Sequence, residues 1–134
     1  MMKAFIFVAT WLLLSICAFA QDYSHLENWK SGSITGTAVG PKNSSTKWYG
    51  TYGINKSQCR RYLKVFNKKA ADVKLGTDKP VITYELTPQT TKWLPREIET
   101  LLDKGMALAC TKKEGALDTN GVPVNECFAT VVYK

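Results

Sequence analysis

Asn55 to Ala71, NKSQCRRYLKVFNKKAA, is the stretch on which the reading of the fold turns. Cys59, Tyr62, Leu63, Phe66 and Ala70 recur at intervals of three and four, which places them along one side of a 3.6-residue spiral. Lys56, Arg60, Arg61, Lys64, Lys68 and Lys69 fall on the other side with no acid among them. That separation predicts an amphipathic helix with its apolar stripe inward and a cationic surface outward. Asn55 is suited to accept from the first free N–H groups, and Gln58 three residues later completes a capping-box pattern, so the helix is expected to begin near Asn55.

Upstream, Lys3 precedes an apolar run from Ala4 to Ala18 and the small-residue pattern Ala-Phe-Ala at 18 to 20, which predicts a signal peptide over residues 1–20. The run is short for a membrane anchor. Leu14-Ser15-Ile16-Cys17 also approaches a lipoprotein box, although Ile16 stands where a small residue is expected. Residues 21–134 then form one small domain, secreted or periplasmic, too short to divide in two. Its charge is regional. Residues 21–71 hold nine Lys or Arg against two acids, a balance of +7, whereas 72–134 balance at −1. A regional positive field selects acidic partners: an acidic protein surface or an anionic polymer. The six bases of the expected helix are its candidate contact residues.

Downstream, aromatic-rich Thr46–Gly53 reads as a strand, paired in a hairpin with Ser33–Val39 across the turn residues 40–45. Val81–Leu86 alternates as a half-buried strand, and Glu126–Tyr133 reads as the last strand. Pro95 and the stripe Ile98, Leu101 and Leu102 predict a second helix over Arg96–Lys104, ended by Gly105. Met106–Cys110 fits a buried strand or a continued helix. The expected architecture is α+β: two helices packed on a mostly antiparallel sheet.

Catalytic chemistry is weakly represented. His25 is the one histidine, no nucleophile elbow or phosphate loop is present, and Glu97 and Glu99, two apart on the expected helix, do not face each other. No cysteine–histidine cluster has metal spacing, so neither metal nor cofactor is implied. Trp29, Trp48 and Trp93 read as core residues or as binding aromatics. Of Cys59, Cys110 and Cys127, two are expected to pair, and all three pairings are open. Cys59–Cys110 closes about 50 residues, for which the chain-entropy argument gives roughly 4 kcal/mol, somewhat more than Cys110–Cys127.

The order NWKSGSITGTAV (28–39), KWYGTYGINKSQCRRYL (47–63), LLDKGMALAC (101–110) and a terminal strand resembles the globular domain of type IVb pilins. The resemblance implies a glycine-containing hairpin leading into a helix whose early cysteine, Cys59, is bonded to Cys110. Residues 1–20 lack the Gly and Glu of a pilin's N-terminal helix, so it implies an accessory of pilus or secretion machinery, or an adhesion factor, rather than a filament subunit. The expectation is a non-enzymatic exported binding protein. The competing classes are a small basic toxin or hydrolase acting on an anionic polymer such as RNA, with His25 and Glu85 as its residues, and a secreted inhibitor or immunity protein.

Overall fold

The computed structural model describes residues 26–134, and of 95–99 the backbone alone. Eight strands make two four-stranded antiparallel sheets. They are β1 (Glu27–Lys30), β2 (Val39–Lys42), β3 (Thr46–Asn55), β4 (Arg61–Phe66), β5 (Ile82–Leu86), β6 (Thr90–Leu102), β7 (Met106–Thr111) and β8 (Cys127–Tyr133). The first sheet runs β1-β8-β3-β6 and the second β2-β7-β4-β5. Of the connections between successive strands, only β4 to β5 stays within a sheet. The chain is stitched back and forth across its own core, a sandwich with inward faces interdigitated.

The expected α+β architecture is therefore corrected to an all-β one. Among the described residues the sole helical element is a 3₁₀ turn, Ala70–Asp72. In 55–71 the helical stripe is overridden because YLKVF (62–66) is buried on both faces. Leu63 and Val65 point into the inter-sheet core, while Phe66 packs with Ala107 and Ala109 in a second apolar cluster on the far side of β4, under Ala70, Val73 and Leu75. A strand covered twice loses its polar alternation, and the residue that breaks the helical pattern, Val65, is β-branched.

The second expected helix, Arg96–Lys104, is instead largely the latter part of β6. Trp48 pairs with Thr100 and Gly50 with Pro95, so four residues of β6 stand opposite one of β3. Pro95 sits at this irregularity on an edge strand, where its missing N–H costs no ladder bond. The hairpin expected between 33–39 and 46–53 is not formed either. β3 pairs with β6 and β8, and β2 pairs with β7.

The core between the sheets holds Trp48, Leu63, Val65, Leu86, Leu94, Leu102, Met106, Leu108 and Val131. Trp48 meets Tyr84 edge-on at 6.2 Å, and its indole N–H donates to Thr51 Oγ1 at 3.0 Å, which satisfies the ring's polar atom inside. Among the described residues a partly buried ion pair links the layers. Arg61 Nε donates to Glu126 Oε2 at 2.8 Å, and the carboxylate raises the guanidinium's pKa.

Candidate functional site: the open face of the first sheet

The two outer faces of the sandwich differ. That of the second sheet is roofed by chain: residues 70–75 cover Phe66, and the Gly115 carbonyl accepts from the ammonium of buried Lys64. That of the first sheet presents its outward side chains to solvent. Alternation along β3, bounded by the inward Trp48, Thr51, Gly53 and Asn55, turns Lys47, Gly50, Tyr52 and Ile54 outward. Along β8 the outward set is Phe128, Thr130 and Val132, with Lys134 following.

The register assembles these into rows. Trp93, Tyr52, Thr130 and Lys30 run across all four strands, and Thr91, Ile54 and Phe128 form the next row. Tyr52 and Trp93, 45% and 41% exposed, lie with ring centroids 4.4 Å apart and planes tilted by 40°. Trp93 rests on Gly50, where a Cβ would come within 2.5 Å of the indole. Glycine is thus what lets the ring lie down. The Lys56 ammonium stands 4.6 Å over the Phe128 ring, a cation–π contact that holds the charge at the lower end of the face. Lys47 and Lys134, at the upper end, exchange backbone hydrogen bonds of 2.9 Å in each direction. Exposed Leu101 pairs with Lys47. None of the described outward side chains of these rows is acidic.

The six bases expected on one helix face are placed separately. Only Lys56 joins the open face. Arg60 reaches Glu85 at 3.3 Å, and Arg61 is taken by Glu126. Lys64 is buried, which lowers its pKa. Lys68 bonds Asp78 at 2.6 Å and holds that carboxyl below the usual range, and Lys69 lines an open groove of about 660 Å³ with Asn43, Asp72 and Asp103. The argument from a shared helix face falls with the helix. Cys59 is exposed in the turn between β3 and β4, whereas Cys110 and Cys127 are buried, and all three are free thiols. The cysteine-bearing helix that the pilin resemblance implies is replaced by that turn.

Of the three tryptophans weighed from the sequence, Trp48 is core, Trp29 packs half-buried against the core, and Trp93 belongs to the site. Tyr52 and Phe128 belong to no functional motif in the sequence. Their signal is the period-two pattern of TKWYGTYGIN and CFATVVY, which places them outward once the strand faces are known. His25, Cys17 and residues 1–20 lie outside the described residues. Glu85, the nominal partner of His25, is engaged at the surface by Arg60. Among the described residues no group of three or more His, Cys, Asp or Glu is placed to hold a metal ion.

Fold and face together define a small β-sandwich with one roofed sheet and one open sheet bearing aromatics and lysines. Comparison with family models, with curated proteins and with solved structures finds no match.

Proposed function

We propose that the protein is a non-enzymatic, exported binding module that takes an anionic polymer of ring-shaped units across the open face of the first sheet. The observation that carries this is the half-exposed Trp93–Tyr52 platform, with Lys30 in its row, Lys56 over Phe128 at one end of the face and Lys134 at the other. A flat unit stacks on the exposed rings, and the anionic groups on either side of it meet lysines above and below. Aromatic stacking gives about 1–3 kcal/mol per unit, and the lysines add a salt-dependent attraction without sequence reading.

The test is a titration followed by tryptophan fluorescence, with a sulfated oligosaccharide and an oligothymidylate as parallel probes. At least one is expected to bind, with affinity falling as salt rises. Trp93→Ala is expected to weaken it about 5- to 150-fold at unchanged circular dichroism. If neither probe binds, or if binding survives Trp93→Ala and ignores salt, the proposal is wrong.

A further inference from the structure

The binding face leaves unused a pair of sulfurs at the centre of the molecule. Cys110 lies on β7, a central strand of the second sheet, and Cys127 opens β8, a central strand of the first. Both are fully buried in the same inter-sheet cluster. The segment before β2 holds them in register through consecutive residues: Ile34 N–H donates to Cys127 O at 2.7 Å, and Cys110 N–H donates to Thr35 O at 2.9 Å. The Cys110 sulfur is close enough to be the leading influence that raises the Cys127 thiol's pKa. Cys59 is apart from them, exposed in its turn with its N–H on Ser57 Oγ.

We propose that Cys110 and Cys127 close to a disulfide that ties the two sheets through the core, leaving Cys59 as an exposed thiol. The two S–H groups lose two protons and two electrons and one S–S bond forms. The acceptor is a second disulfide, such as glutathione disulfide or that of a dithiol oxidoreductase, which is reduced to two thiols by thiolate exchange. The neighbouring Cys110 sulfur and burial push the Cys127 thiol well up, and both cysteines are fully buried, out of reach of a redox partner once the sheets have closed. Oxidation therefore belongs to folding, before the sheets close. This pairing differs from the Cys59–Cys110 bond that loop length and the pilin resemblance favour, because an exposed turn and a core strand do not bring their sulfurs together.

The experiment refolds the full chain from denaturant in a glutathione redox buffer, alkylates free thiols and digests with trypsin without reductant. Lys112 and Lys113 lie between the two cysteines, so the bond is expected to appear as peptide 105–112 joined to 114–134, with the alkyl group on Cys59 in peptide 57–60. Cys59 in any intramolecular bond, or alkylation of all three cysteines, would overturn the assignment. Adding a phosphine reductant is expected to lower the thermal midpoint of the oxidised wild type by about 10 °C and to leave Cys127→Ala unmoved. A wild-type midpoint insensitive to reductant would refute the tie between sheets. Neither readout depends on the polymer-binding face.

Discussion

Asn55→Ala tests the sandwich at the residue where sequence pattern and structure part company. Asn55 is 1% exposed at the end of β3. Its Nδ2 donates to the carbonyls of Cys59, Leu86 and Thr87 at 2.7, 2.9 and 3.2 Å, and its Oδ1 accepts from Ser57 N–H at 2.9 Å. One amide thus joins the turn into β4 to the end of β5 in the opposite sheet. The two Nδ2 hydrogens are shared among the three carbonyls, so truncation removes the equivalent of three full bonds, Oδ1 included. At about 1 kcal/mol net for each, the upper figure is about 3 kcal/mol. The contacts to Cys59 and Thr87 are only partly buried, so water replaces some of that contribution, and about 2 kcal/mol is expected to be lost. On a domain stability of roughly 5–15 kcal/mol this is a large fraction, and it lowers the midpoint by about 10 °C. Urea unfolding followed by tryptophan fluorescence and circular dichroism, with m held in common, measures it. Asn55→Asp is expected to be worse at neutral pH, since it turns a carboxylate on carbonyls that need donors. A loss under 1 kcal/mol for Asn55→Ala would show that this amide does not join the sheets.

Other substitutions probe the remaining features. Glu126→Gln leaves the Arg61 guanidinium buried with a weaker acceptor; with the glutamate side chain 24% exposed, the cost is expected near 2 kcal/mol, below that of a fully enclosed pair, and is read from urea midpoints. Burial lowers the folded-state pKa of Lys64, so the unfolded chain binds more protons between that value and the ordinary 10.5. Stability is then expected to rise with pH through that window, and Lys64→Met to flatten the rise, with its gain of about 1 kcal/mol at the low-pH end, in denaturation curves taken across it. The Asp78 carboxyl, lowered by Lys68, contributes stability above its unfolded value that fades as pH falls through the folded one; Asp78→Asn should remove that part of the acid transition. Gly50→Ala is expected to lift the Trp93 ring off β3 and weaken polymer binding several-fold in the fluorescence titration, with little change in urea midpoint, because the obstructing atoms belong to a surface side chain.

The strands at 46–53, 81–86 and 126–133 are legible because their cue is local, aromatic or β-branched residues bounded by turn residues, whereas Met106–Cys110, buried on both faces, carries no alternation to separate strand from helix. The pairing is not legible. A hairpin is the natural expectation for neighbouring strands, but here β1 to β2, β2 to β3 and β3 to β4 each cross to the opposite sheet. The capping signal at Asn55 has a real local basis that was given the wrong tertiary form. Asn55 Oδ1 does accept from the N–H two residues on, and Ser57 Oγ does the same for Cys59, but these side-chain bonds build a tight turn between strands. The same chemistry starts helices and makes Asx turns, and the covered far side of β4 then hid the alternation that would have separated them.

The site was legible only in its ingredients. Aromatics and lysines were visible in the sequence, but their grouping depends on which strand faces remain uncovered, and that is decided by segments distant from them. The outer side of β4 takes Phe66 and Lys64 out of reach because 70–75 and the loop carrying Gly115 fold over it. Basicity in 55–71 is spent there on Glu85, Glu126 and Asp78, partners that pattern alone does not assign. Among the described residues no such roof crosses Trp93, Tyr52 and Phe128, so apolar area remains beside Lys30 and Lys56. A solvated sheet face needs neither two stacked, half-exposed rings nor a glycine kept beneath one of them. A face that receives flat, negatively charged units uses both, and for that reason the proposed binding function is assigned to the first sheet.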